Sequence, residues 1–343
     1  MIYFERLKGR AKNTPHIACA FRVLRDVVLV LRLVLFCPPE DWVQFKRASS
    51  ILARLGHHGL YERWLRRFDR ALTLPEVTRR KFLDVRGRGV GNINIHRRAR
   101  LGGVDVFEKI YNNNSDHLHK VLWFHRDVLP RLVGMVTTPA IVTSLRGEKM
   151  TIVYFEYISE QVPVTADQLL PAATRLQLIT EHLRVEHGDP TIIDFRRDPF
   201  YRRGAVGLRA TLERASRDPE LQTCVEQWLS GPDVPKRFAH ADFVQSNVLS
   251  CGAILDFDKC GYYPVGYDFG RTLRVCESQG FDSVDAVESV VREQIAKGCW
   301  KTLAGHLYFS AVFRLRSRNT VRSDDVVTLS LFDRTLDLIA NEA

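Results

Sequence analysis

The stretch RFAHADFVQSNVLSCGAILDFDKCGYYPVGYDFGRTL, residues 237–273, sets four aspartates, a histidine and an asparagine among residues that otherwise read as buried strand. Carboxylates are costly to bury alone, so a cluster of them between apolar runs needs a cation, a proton to move or a structural anchor. In HADFVQSN an Asp is followed five residues later by Asn, and in ILDFD a second Asp closes a β-branched run nine residues beyond that Asn. A loop and a strand end joined by a hairpin would bring Asp242, Asn247 and Asp256 to one spot. Hard oxygen donors with few protein contacts suit Mg2+, which keeps much of its water and takes phosphate oxygens as other ligands. An Asp beside that metal but not bound to it can orient a hydroxyl nucleophile and accept its proton during phosphoryl transfer.

The chain around this stretch has 343 residues and 45% hydrophobic content, enough for a packed core in roughly two lobes. Beyond it, and back to residue 166, the pattern is mainly helical: 166–186, 205–216, 218–230 and four more segments between 267 and 341. Upstream the texture differs. KFLDVRGRGVGNINIHRRARLGGVDVFEKIY, residues 81–111, alternates like strands and is broken by glycines. A helical stretch at 115–133 and two strands, in GMVTTPAIVTSL and MTIVYFEYI, follow, and YFEYISEQVPV suits a connector between lobes. The expected architecture is α+β and bilobal. Residues 79–158 form a small antiparallel sheet lobe and 159–343 a larger helical lobe holding one hairpin, after a helical extension at 1–78.

Charge is unevenly placed. Residues 1–80 hold sixteen Lys and Arg against seven Asp and Glu, so +9 of the chain's net +10 lies in this N-terminal segment. Within it, IACAFRVLRDVVLVLRLVLFC (17–37) is long enough to cross a bilayer. Its charges at Arg22, Arg25, Asp26 and Arg32 fall in one arc of roughly 120°, which describes an amphipathic helix and not a span. Two readings stay open for it: packing on the body with charges outward, or lying on an anionic membrane surface. No secretory cleavage site follows. The seven cysteines are scattered without a CxxC pair, which argues against a disulfide framework or a zinc site and for a reducing, cytoplasmic compartment. No nucleic-acid recognition motif accompanies the arginines, so a nucleic-acid partner is not expected.

HADFVQSNVL followed by AILDFDKCGYYPVGYDFGRTL resembles the catalytic and metal motifs of the aminoglycoside phosphotransferase and choline kinase family, which has a protein-kinase-like fold. The resemblance implies ATP and Mg2+ as cofactors. It makes Asp242 the catalytic base, Asn247 and Asp256 the magnesium ligands, His240 the buttress of the catalytic loop and Asp268 a structural residue. It also gives weight to weaker signals. The glycine loop GRGVGN, with Gly87, Gly89, Gly91 and Asn92, precedes Lys109 as the family's nucleotide-covering loop precedes its phosphate-binding lysine. FEYI, 155–158, falls where hinge backbone at Glu156 and Ile158 would meet adenine.

Two departures stand out. The helix that should offer Lys109 a glutamate, SDHLHKVLWFHRDVLPRL, has none; Asp116 and Asp127 are the substitutes, and Glu108 should point to the other face of its strand. This keeps a catalytically silent nucleotide-binding module as the alternative. The family's usual glycine between His and Asp is Ala241. HGDPTIIDF (187–195) imitates the motif, but Asp194 stands where Asn is required, so it is expected to be a helix end and loop. The acceptor implied is a hydroxyl of a small molecule or glycan. The basic N-terminus and the fragment LDFDK, similar to lipopolysaccharide core sugar kinases, point to an envelope glycolipid sugar, reached by a cytoplasmic protein at the inner membrane surface.

Overall fold

The computed structural model describes residues 23–32, 41–74, 77–78, 80–82, 96–159, 162–191, 201–202, 204–205, 208–209, 219–230, 234–280, 284–316, 337–338 and 341. The chain divides into two units, one of residues 1–118 with 139–158 and the other of 119–138 with 159–343.

In the first unit, helix α1 (Trp42–Arg54) begins where Asp41 accepts the backbone N–H groups of Val43 and Gln44, donors that a first turn otherwise leaves open. Helix α2 (His58–Phe68) follows after a short turn. Their apolar faces, with Phe45 and Leu52 on α1 and Trp64 and Leu65 on α2, share one buried cluster with Val106, Ile110, Ile152 and Tyr154. Those last four belong to the small antiparallel sheet that the alternation predicts. Its spatial order is β1 (Arg80–Phe82), β2 (His96–Leu101), β3 (Val104–Asn112), β5 (Met150–Glu156), β4 (Ile141–Arg146).

Alternation along β3 sends Val106, Glu108 and Ile110 to the helix-covered face and Lys109 and Tyr111 to the other. Glu108 stands opposite Arg97 of β2, whose guanidinium donates to Glu108 and to Glu62 of α2, each at 2.6 Å. Arg97 is fully buried and lies 4.5 Å from the centre of the Tyr61 ring. Burial works against its charge, but Glu108, then Tyr61 and Glu62, outweigh it and raise the pKa. A second tie is Asp69, whose buried carboxylate accepts N–H groups from Glu148, Lys149 and Met150 at 3.2, 2.9 and 3.1 Å. Gly147 leaves it room, because a β-carbon there would run into that carboxylate.

Residues 23–32 are helical. Val30 joins the α1–α2–sheet cluster, Leu29 packs against it and Asp26 is buried. One edge therefore packs on the body, while Val23, Leu24, Val27, Val28 and Leu31 face outward, flanked by exposed Arg25 and Arg32. No helix among the described residues is long and apolar enough to cross a membrane.

The second unit is mainly helical. Helix α3 (Asp116–Trp123), whose first three residues belong to the first unit, runs on through a π turn, Phe124–Val128, and a 3-10 turn, Leu129–Leu132. Helix α4 (Ala166–Ile179) is capped where Gln168 accepts the N–H of Thr165 at 3.3 Å. Helix α5 (Pro219–Ser230) precedes an antiparallel strand pair, β6 (Lys236–Ala239) and β7 (Gly261–Pro264). Then come α6 (Tyr267–Ser278), α7 (Val284–Ala296) and α8 (Trp300–Arg316). Helix α8 buries Leu303, Leu307, Phe309 and Val312 and serves as the unit's central helix. Helix α6 meets it closely at Gly266, which has φ +88° and whose β-carbon would lie 2.5 Å from the backbone nitrogen of His306.

His306 is buried on Phe269, ring centroids 4.4 Å apart, and neither ring nitrogen finds a hydrogen-bond partner among the described residues. Burial lowers its pKa to about 4, and does the same to His125. Both folded pKa values lie below the unfolded one. Their stabilising contribution is therefore complete above about pH 6.5 and is lost as pH falls towards 4, by about 3 kcal/mol for His306 over that window. Urea denaturation at pH 7.5 and 4.5 checks this: the acid loss should be clearly smaller in His306→Phe than in the parent, with the share of His125 remaining.

Candidate active site

The loop after β6 is anchored by backbone before its charges are set. The N–H groups of His240 and Ala241 donate to the buried carboxylate of Asp268, in the first turn of α6, at 2.6 and 2.9 Å. Burial raises the Asp268 pKa, while His240 and the two amides pull the other way. The His240 ring closes the next link. Its Nδ1 accepts the N–H of Asp242 at 3.2 Å, so Nε2 carries the proton and donates to the carbonyl of Leu255 at 2.7 Å. One buried imidazole thus ties residue 242 to the end of the following hairpin.

Ala241 has φ +60°. An alanine pays about 1–2 kcal/mol in this left-handed region, which gives a physical reason for a glycine at this place in the motif. Its methyl is nevertheless buried, worth about 0.8 kcal/mol, and glycine costs a further 0.5–1 kcal/mol or so in chain entropy. The two sides nearly cancel. Ala241→Gly is expected within about 1 kcal/mol of the parent in thermal melting, whereas Ala241→Val, β-branched at this φ, should lose about 2 kcal/mol or more.

Val248 pairs with Ile254 across a tight turn, and the Leu255 N–H donates to the carbonyl of Asn247 at 2.7 Å. This small hairpin puts Asn247 and Asp256 at its two open ends. The side-chain amide of Asn247 donates to the carbonyl of Asp242 at 2.9 Å. Its nitrogen is thereby used, which leaves its oxygen as the atom that would meet a cation. Asp256, φ +64°, opens the 3-10 turn Phe257–Lys259. Ala241 and Asp256 are the two non-glycine residues with positive φ among the described residues, both on this loop system.

The carboxylate of Asp242 receives Lys259 Nζ at 2.7 Å on one oxygen and the Arg271 guanidinium on the other. Neither cation is a candidate from the motif alone. Asn247 and Asp256 offer a carbonyl oxygen and a carboxylate, the donor chemistry of Mg2+. Among the described residues no three or more His, Cys, Asp and Glu group as a metal cage. A cation that takes water and phosphate oxygens for its remaining ligands fits such a sparse donor set.

Of the other expected residues, Lys109 sits on β3, buried, with Nζ 5.3 Å from the centre of the Tyr111 ring. Glu156 ends β5, where its carboxylate accepts the Ala140 N–H at 3.0 Å, and half-buried Ile158 follows. Gly87, Gly89, Gly91 and Asn92 lie outside the described residues. Helix α3 contains Asp116 and no glutamate, and Asp127 pairs with its neighbour Arg126 at 2.6 Å. Asp189 closes a loop, accepting the Trp123 indole at 2.9 Å and the Glu186 N–H at 2.7 Å. Asp194 lies outside the described residues.

A sequence model of the phosphotransferase enzyme family matches residues 116–298. No curated protein matches the chain. Among solved structures, a microcompartment-associated aminopropanol kinase is 15% identical, with 78% of this chain and 92% of that one covered and a TM-score of 0.41. A thermostable mutant of an aminoglycoside phosphotransferase is 12% identical, with 78% and 96% covered and a TM-score of 0.42. The choline kinase from Cryptosporidium parvum is 13% identical, with 86% and 85% covered and a TM-score of 0.37.

Proposed function

Because the chain belongs to the phosphotransferase enzyme family, we propose that it moves the γ-phosphoryl group of ATP, with Mg2+, to a hydroxyl of a small molecule or glycan. The observation that carries this reading is Asp242, its backbone bonded by His240 and Asn247, beside the hairpin that bears the oxygen donors Asn247 and Asp256. Asp242 orients the acceptor hydroxyl and takes its proton. The acceptor oxygen bonds to phosphorus as the bond from phosphorus to the β–γ bridging oxygen breaks, and ADP leaves with that electron pair. Asn247 and Asp256 are the residues that would hold Mg2+, whose contribution is to neutralise charge on the phosphate oxygens. By the family's pattern Lys109 and the amides of Gly87, Gly89, Gly91 and Asn92 serve the phosphates, and backbone at Glu156 and Ile158 serves adenine. Positioning and electrostatics supply most of the rate.

The narrower reading is a sugar of an envelope glycolipid, phosphorylated from the cytoplasmic side by a protein in peripheral contact with the membrane. It is supported by the outward apolar stripe of residues 23–31, the flanking Arg25 and Arg32, and the +9 charge of residues 1–80. A silent nucleotide-binding module is the second reading, favoured by the absence of a glutamate from α3.

Transfer of labelled γ-phosphate from ATP into a cell extract, split into aqueous and lipid fractions, tests these readings. Label in the lipid fraction is the expected result, and label only in the aqueous fraction would replace the glycolipid with a soluble acceptor. No label in either fraction, with MgATP binding intact in a parallel titration, would move the assignment to the silent module.

A further inference from the structure

The two cations on Asp242 do more than the proposed transfer asks of them. Lys259 lies in the 3-10 turn that Asp256 opens, and Arg271 one turn beyond Asp268 on α6. The Arg271 guanidinium is set over the Phe313 ring at 5.9 Å, a cation–π contact that holds it from behind. The carboxylate of Asp242 bonds both, and the buried carboxylate of Asp268 also acts on Arg271. The Asp242 side chain is 15% exposed, Lys259's 38% and Arg271's 20%, so the group is open to a ligand and not sealed in the core.

Donor capacity is also in excess. A carboxylate accepts at about four lone-pair positions, and two are taken, leaving Asp242 able to receive a hydroxyl. A guanidinium carries five N–H donors and an ammonium three. Among the described residues the Nε–H of Arg271 is buried without an acceptor. Surplus N–H donors on two cations favour anionic oxygens.

We infer that Lys259 and Arg271, besides holding Asp242, seat an anionic group, of the phosphate-monoester kind, carried by the acceptor. This rests on the reading of Asp242 as the residue that meets the acceptor hydroxyl. The same donors could instead serve the transferring phosphate of ATP, and the two sources separate by experiment.

Binding of glucose 6-phosphate, glucose and kanamycin to the full chain is measured by titration calorimetry with Mg2+ and a non-hydrolysable ATP analogue present. The parent should bind the phosphate ester at least about tenfold more tightly than glucose, and kanamycin weakest. Lys259→Gln and Arg271→Gln should each remove about tenfold of that preference, as expected for a lost charge-assisted bond. Arg271→Lys, which keeps the charge, should retain part of it, and thermal melting identifies any variant that has merely unfolded. Equal binding of the two sugars by the parent, or a preference for kanamycin, overturns the inference. So does weakening of the ATP analogue in place of the sugar phosphate, which would give the cations to the nucleotide. Labelled transfer run beside the titration keeps the two readings apart. A charge preference that the variants abolish, with no transfer to any acceptor, leaves the seat standing and rejects the phosphotransferase; transfer without charge preference does the reverse.

Discussion

Asp242→Asn is expected to lower turnover roughly 10²–10⁴-fold, the range for a lost general base, while MgATP affinity stays within about threefold. Asparagine keeps the size of the side chain and one acceptor oxygen but cannot take a proton. The loop should hold its shape in the variant. Its anchors are the His240 and Ala241 amides on Asp268, the His240 ring on Leu255 and the Asn247 amide on the Asp242 carbonyl, none of which uses the carboxylate being changed. Lys259 and Arg271 lose their counter-charge, but both reach solvent, so the cost in stability is modest. Single-turnover transfer to the acceptor fraction, with a nucleotide titration on the same preparation, separates chemistry from binding. Turnover at the parental rate would remove Asp242 from the chemistry. A large loss of nucleotide affinity instead would mean that the carboxylate serves the nucleotide or its metal.

What was legible in the sequence is what local structure fixes. The family and its phosphotransferase class, read from residues 237–273, are borne out by the match over 116–298, and a small antiparallel sheet and a larger helical region are the observed architecture. Asn247 and Asp256 come together because a single tight hairpin, Val248 to Ile254, joins them, and the Asn247 amide ties in Asp242; hairpin spacing survives in a one-dimensional reading. Strand alternation likewise separated Glu108 from Lys109 correctly. The residues that were missed act across distance. Lys259 and Arg271 reach Asp242 from 17 and 29 positions away, and no periodicity reports such a pairing. A signal for Arg271 did exist: if Asp268 grips the loop at 240 and 241, the residue one helical turn later should reach 242. Ala241 is a departure from the motif whose meaning needs the backbone: only its φ of +60° gives the position a conformational demand. That α1 and α2 cover the sheet was illegible for another reason, since an amphipathic pattern marks a buried face without naming its partner.

Arg97→Ala should be the most destabilising single change in the first unit, by about 3–5 kcal/mol in urea denaturation, because it strands a buried carboxylate. Glu108 is 1% exposed, with the guanidinium bonded to it, whereas Glu62, at 18% side-chain exposure, can turn partly to water. Deleting the arginine therefore costs more than the net worth of the triad, since the penalty is dominated by what remains behind. Arg97→Lys keeps the charge but not the fork that spans two carboxylates, and should fall between parent and alanine. The decisive comparison is the paired change Arg97→Met with Glu108→Leu, which removes both buried charges at once and fills the space with apolar atoms. Recovery of most of the lost stability would show that the triad aligns α2 against β2 and β3 more than it stabilises the fold. If the paired variant stays as unstable as Arg97→Ala, the ion pair itself, together with the Tyr61 ring behind it, carries the stability.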